Sequence, residues 1–125
     1  MAKILVAEDE RDIRELIVFS LTHVGGYEVV EVTNGLEAVE QAIKEMPDLI
    51  IMDVRMPKMT GYEACKELKN RAETAGIPVI FLSAKGQEPE IKQGLALGAE
   101  EYILKPFAPD ELFRRVSSVL GRRQE

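Results

Sequence analysis

A single cysteine, Cys65, stands in this 125-residue chain, so no intrachain disulfide can form. Imidazole is equally scarce. His23 is the only histidine, and one thiol plus one imidazole leave no set from which a zinc site could be assembled. No apolar run approaches the ~20 residues of a membrane span. The opening Met1-Ala2-Lys3-Ile4-Leu5-Val6 is interrupted by Glu8-Asp9, too early for a secretory signal. No Gly-x-Gly-x-x-Gly pattern opens a helix after the first apolar run, which weakens a flavin- or nucleotide-binding reading. Basic residues are outnumbered, 16 Lys and Arg against 22 Asp and Glu, for a net charge of −6. The cationic excess needed for nonspecific contact with nucleic acid or an anionic membrane is therefore missing. The expected setting is a reducing cytoplasm, with no membrane and no direct nucleic-acid partner.

What remains is ordinary for one globular domain: 46% apolar and 30% charged residues. Hydrophobic periodicity divides the chain into five strand–helix units. Strands are expected at Lys3–Ala7, Tyr27–Val32, Asp48–Met52, Pro78–Leu82 and Glu101–Leu104. The first helix spans about Glu10–Val24, with Ile13, Leu16, Ile17 and Leu21 inward and Gly25-Gly26 as the stop. Asn34 with Glu37, and Thr60 with Glu63, are capping patterns for the second and third helices, which run to about Glu45 and Ala72. A fourth helix covers Glu88–Leu97, with Gly98 past its end, and a fifth runs from Pro109 to Gly121, with Leu112, Phe113, Val116 and Leu120 inward. Alternating strands and helices predict a parallel sheet covered on both faces. Leu49–Met52 and Val79–Leu82 are apolar throughout, as such burial requires. The second strand ends in Thr33-Asn34 and brings no acid, base or amine, which suits an outer position.

The other four strands each end in a side chain suited to phosphate chemistry: Glu8-Asp9, Asp53, Ser83 and Lys105-Pro106. In open α/β sheets the carboxyl edge is where ligands bind. Three carboxylates there would repel one another unless a hard divalent cation intervened, and magnesium takes one or two carboxylates together with water and phosphate oxygens. Singly, Glu8-Asp9 reads as a turn and helix cap, Asp53 as a loop acid, Ser83 as a turn residue and Lys105 as a solvated amine. Their convergence reads as a site. Lys105-Pro106 is also a candidate cis bond.

The set Glu8-Asp9, Asp53-Val54-Arg55-Met56-Pro57 with Gly61 beyond, Ser83-Ala84 and Lys105-Pro106-Phe107 resembles the response-regulator receiver domain of two-component signalling, chemotaxis-regulator-like, over essentially the whole chain. The resemblance implies a flavodoxin-like, doubly wound sheet of five parallel strands in order 2-1-3-4-5 with five helices, a receiver domain at 1–121 and a short polar tail at 122–125. It implies that Asp53 accepts a phosphoryl group from a sensor histidine kinase or phosphotransfer protein, forming an aspartyl phosphate. Asp9 would bind Mg2+ directly, Glu8 through a metal-bound water, and the Arg55 backbone carbonyl would complete the protein ligands. Ser83 and Lys105 would hold phosphoryl oxygens. Tyr102 would be the rotating aromatic coupled to Ser83. Arg55 and Lys85 would flank the path of the hydrolytic water.

Such a domain phosphorylates and dephosphorylates itself, and its product is a conformational signal, so it is not a conventional enzyme. It would act on a downstream partner or output domain through the face of the fourth helix, fifth strand and fifth helix, around Ile91, Leu95, Tyr102 and Phe113, with a phosphorylation-dependent dimer left open. Two rivals stand beside this reading. A magnesium-dependent phosphohydrolase would want an inserted cap, for which the chain has no spare length. A pseudo-receiver that only binds partners would have lost an acid or the lysine. His23 reads as a solvated or capping residue, Cys65 as a packed one, the methionines as core and loop fillers, and Gly86, Gly94 and Gly98 as turn or packing positions.

Overall fold

Five parallel strands form one sheet in the order β2-β1-β3-β4-β5, the expected flavodoxin-like arrangement. The computed structural model describes residues 1–84 and 88–124. The strands are β1 (Lys3–Ala7), β2 (Glu28–Val32), β3 (Leu49–Asp53), β4 (Val79–Ser83) and β5 (Glu101–Leu104). The helices are α1 (Arg11–Phe19), α2 (Gly35–Glu45), α3 (Gly61–Lys69), α4 (Glu88–Ala96) and α5 (Pro109–Gln124). The central β3 and β4 are buried along their whole length, while β2 and β5 form the half-covered edges.

Strand alternation sorts the core into two layers. Leu5, Ala7, Ile50, Met52, Val79 and Phe81 pack with Ala38, Ala42, Ala64, Cys65 and Leu68 of α2 and α3. Ile4, Val6, Leu49, Ile51, Ile80 and Leu82 pack on the other face with Ile17 of α1, Leu21, and Leu112 and Val116 of α5. The expected caps are in place. The Asn34 side chain accepts from Glu37 N at 2.9 Å. Thr60 and Glu63 close a reciprocal capping box at 2.9 and 3.1 Å.

Four expectations need correction. Helix α1 gives way to a π-helical turn over Ser20–Val24. There the hydroxyls of Ser20 and Thr22 bond back to the carbonyls of Leu16 and Val18 at 2.9 and 2.8 Å, a local competition that widens a helix. Leu16 does not face inward with Ile17 and Leu21 but stays exposed, as does Phe19. Helix α3 stops at Lys69, short of Ala72. Thr74 Oγ1 caps the Leu68 carbonyl at 2.7 Å and Lys69 Nζ holds the carbonyls of Ala75 and Ile77 at 3.0 and 2.8 Å, so the chain turns early. Helix α5 does not end at Gly121 but passes through it to Gln124. Gly121 is exposed, with open space where a Cβ would stand, and Arg122 reaches Glu101 of β5 at 3.6 Å. Among the described residues, no helix is long and apolar enough to cross a membrane.

Two glycines make opposite predictions. A Cβ at Gly61 would overlap the Asp53 carbonyl oxygen, and backbone cannot yield cheaply. Gly61→Ala should lower stability by about 1–3 kcal/mol or more. Gly121→Ala meets nothing within 4 Å inside a helix and should gain about 0.5–1 kcal/mol. Thermal melts of both variants check the pair. An unchanged Gly61→Ala melt would contradict the close approach.

Candidate functional site

Register brings the polar strand ends together. Ala7 pairs with Met52, Asp53 with Leu82, and Ser83 with Leu104, so Glu8 lies beside Asp53 and Lys105 lies one step beyond Ser83. Parity then sets direction. Glu8 continues the alternation of Ile4 and Val6, Asp53 that of Leu49 and Ile51, and Lys105 that of Ile103, all on the α1/α5 layer. Ser83 follows Val79 and Phe81, and with Tyr102 belongs to the opposite layer. Backbone bonds carry the ladder past the strand ends: Glu8 N to Val32 O at 3.1 Å, Val54 N to Leu82 O at 3.0 Å and Lys105 N to Ser83 O at 2.8 Å. The Lys105–Pro106 bond is cis.

The resulting cleft, about 370 Å³, is lined by Asp9, Glu10, Asp53, Arg55, Ser83, Ala84 and Lys105. The Lys105 ammonium lies 2.8 Å from Glu8 Oε1, 3.3 Å from Asp53 Oδ2 and 3.8 Å from Glu10 Oε1. Glu8 is fully buried and Asp53 nearly so, while Asp9 and Arg55 are exposed. Burial pushes the Glu8 carboxyl up to about 7. The Lys105 ammonium and the Glu10 amide oppose the rise and the Asp53 charge adds to it. Burial likewise raises Asp53 against the pull of Lys105, with Asp9 adding to the rise. Lys105 is drawn down by burial, yet its bond to Glu8 and the nearby Asp53 charge leave it above its ordinary value.

One carboxylate oxygen from each of Glu8, Asp9 and Asp53 lies within 4.8 Å of the others. One ammonium faces three carboxylates here. Glu8 Oε2 accepts from Glu10 N at 3.1 Å, whereas the buried Oε1 has no aligned hydrogen bond and meets the lysine charge alone. An all-oxygen donor set with surplus negative charge and an under-satisfied buried oxygen fits a hard divalent cation such as magnesium. Glu8, Asp9 and Asp53 are the described residues whose carboxylates lie close enough to one another to hold it together.

Tyr102, half-buried, lies edge-on to Phe81 with ring centroids 6.4 Å apart, and its hydroxyl is 3.4 Å from that of Tyr62. Tyr62 in turn donates to the Glu90 carbonyl at 2.9 Å, so α3 is tied to α4 beside the Tyr102 ring. Phe113 does not join the α4–β5–α5 face. It packs toward Tyr27, 6.2 Å away, on the side of β2. Lys85 and Gly86 lie outside the described residues. His23 is exposed and stacked on Phe19, and Cys65 is buried, with its thiol pushed up by that burial. Sequence reasoning missed Glu10, which follows the acidic pair directly, and Tyr62, whose hydroxyl has no sequence signal.

The chain matches the family described as "Response regulator receiver domain" over residues 4–117. It is 42% identical, over 122 residues, to the alkaline phosphatase synthesis transcriptional regulatory protein PhoP of Bacillus subtilis, covering 98% of this chain and 50% of that protein. The chain thus spans about half the length of the curated relatives it matches. Its fold superposes on the chemotaxis response regulator CheY4 of Vibrio cholerae with a TM-score of 0.89 at 34% identity, covering 95% of this chain and 98% of that one. The receiver domain of the sensor histidine kinase PA1611 from Pseudomonas aeruginosa, whose structure has magnesium in its active-site cleft, gives 0.85 at 30% identity, covering 96% and 98%.

The folded protein holds the Glu8 proton up to about pH 7, whereas the ordinary carboxyl releases it near 4.5. Between these values the folded state binds more protons than the unfolded chain, so metal-free stability should fall as pH rises through the window. Melts in a chelator should be higher at pH 5 than at pH 8, and Glu8→Gln should lose most of the difference. A flat profile in the parent protein would contradict a buried, proton-retaining Glu8.

Proposed function

The chain belongs to the response regulator receiver domain family, and on that premise we propose that Asp53 is its phosphoacceptor, with Lys105, Ser83 and a magnesium ion as working parts. The observation that carries the proposal is the Asp53 carboxylate at the floor of an open cleft, 3.3 Å from the Lys105 ammonium. A carboxylate oxygen of Asp53 attacks phosphorus, the bond from phosphorus to the donor nitrogen breaks, and the imidazole leaves with the electron pair. Lys105 can follow a phosphoryl oxygen as a mobile point charge, and the Ser83 hydroxyl can donate to another. Magnesium, held by Asp9, Asp53 and the Arg55 carbonyl with Glu8 through water, would supply charge neutralisation for the transferring group. Return to the resting state is hydrolysis of the acyl phosphate. Arg55 at the cleft wall is suited to influence the approach of water.

The donor is a histidine kinase or phosphotransfer protein. A mostly apolar groove lined by Ile13, Leu16, Pro106 and Phe107 adjoins the cleft through Glu10, Ala84 and Lys105. It offers a landing face from which a phosphohistidine on a partner helix can reach Asp53. The signal leaves through Ser83 and Tyr102 toward α4, β5 and α5. There Ile91 is half-buried and Leu95 and Leu104 are exposed, an apolar surface for an output domain, a downstream protein or a second phosphorylated copy. The kinship with a transcriptional regulatory protein about twice as long supports an output of that kind.

Incubation with acetyl phosphate and magnesium, read by intact mass, tests the acceptor. The parent protein should gain one phosphoryl adduct, and Asp53→Asn none. Omission of magnesium should abolish or greatly slow adduct formation. An adduct of normal yield on Asp53→Asn would move the acceptor elsewhere.

A further inference from the structure

We propose that Arg14 is a positioning residue for the metal-binding carboxylates: its guanidinium fixes the Glu8–Asp9 peptide and so the direction in which Asp9 presents its side chain. The inference rests on the magnesium reading of the cleft. Asp9 is exposed, and among the described residues no hydrogen bond holds its carboxylate. Its direction is therefore whatever the backbone gives it. That backbone is held from both sides. Glu8 N donates to Val32 O at 3.1 Å, extending the β1–β2 ladder by one residue. The Glu8 carbonyl, on the peptide that leads into Asp9, lies past the last laddered pair, and Arg14 Nη1 donates to it at 2.9 Å.

Arg14 is itself fixed. Its side chain is 18% exposed, and its Nε donates to Glu31 Oε1 on β2 at 3.3 Å. Its own amide donates to Glu10 O at 2.9 Å, while Glu10 N donates to Glu8 Oε2. One planar fork thus joins the end of β1, the edge strand β2 and the first turn of α1. Lysine, with a single flexible ammonium, cannot reproduce that two-ended hold.

Charge and position predict opposite signs, which makes the role testable. Arg14 is a cation near a cation site, so by Coulomb repulsion alone its removal should tighten magnesium binding. If it positions Asp9, its removal should weaken binding, as loss of an outer-shell partner does. Magnesium alone is titrated calorimetrically into the full chain. Arg14→Met keeps the apolar stem but loses charge and donors, and should bind about tenfold more weakly than the parent. Affinity equal to or tighter than the parent's overturns the proposal. Should Arg14→Met fail to fold, Arg14→Lys carries the test: charge alone expects no change, positioning expects weaker binding, and unchanged affinity overturns it. A parent protein that binds no magnesium overturns the metal site itself, a result distinct from either outcome in the variants.

Discussion

Desolvated carboxylates repel one another, and a strand edge that buries two of them, Glu8 and Asp53, beside the exposed Asp9 needs a cation in their midst. The Lys105 ammonium supplies it, 2.8 Å from Glu8 and 3.3 Å from Asp53. Such a contact is not a device for stability. The cost of burying the ions offsets much of their attraction, and an apolar replacement of similar volume often does as well or better. The raised Glu8 and Asp53 carboxyls show that the balance is incomplete, since one ammonium does not restore what burial withdraws. The protein tolerates this because the sheet beneath is apolar and continuous. A site that violates the rules of core design on a scaffold that obeys them is the usual mark of function.

The scaffold determines the cluster through two simple quantities, register and parity. Every adjacent strand pair is parallel and in step at its carboxyl end, so the residues that follow the last apolar positions arrive side by side. Alternation then divides them. Glu8, Asp53 and Lys105 follow the α1/α5 layer, whereas Ser83 and Tyr102 follow the layer beneath α3 and α4. A slip of one residue in β3 would send Asp53 to the wrong face and put Met52 in the other layer. Gly61, pressed against the Asp53 carbonyl, keeps α3 close enough to fix that strand end.

This explains which features were legible in the sequence. The parallel sheet, its two covered faces and the polar edge follow from apolar runs ending in chemistry-bearing residues at Glu8-Asp9, Asp53, Ser83 and Lys105, whereas the full strand order was expected from the family resemblance that those motifs carry. Caps with local donors and acceptors, at Asn34 and Thr60, were legible for the same reason. What failed depends on partners distant in sequence or in direction. Nothing within α3 announces that Thr74 and Lys69 will turn the chain early. Gly121 looks like a helix stop until its exposed setting and the Arg122–Glu101 contact remove the need for one. Helical spacing placed Leu16 with Ile17, but the covered stripe is narrower than the apolar one. Phe113 shares a helix with inward residues yet turns to Tyr27.

The division into two layers also bears on how a charge event at Asp53 could be felt elsewhere. On the proposed reading, a phosphoryl group adds anionic oxygens on the α1/α5 side, where Lys105 is already committed to two acids. The Ser83 hydroxyl then gains a strong acceptor at the carboxyl edge, although its strand alternation belongs to the other layer. Movement of Ser83 toward that acceptor would, on the same reading, shift the packing next to Tyr102. Phe81 bounds the Tyr102 ring on one side, a Cβ on Gly94 would come within 3.0 Å of it, and its hydroxyl meets that of Tyr62. Tyr62 also holds the Glu90 carbonyl near the start of α4. On that reading a half-buried ring bounded in this way would move between discrete positions, because packed interiors are bistable rather than elastic. On the proposed reading, the Tyr62 hydroxyl, in contact with both the Tyr102 hydroxyl and the Glu90 carbonyl, is the route by which a shift of Tyr102 would reach α4 and change the surface on that face.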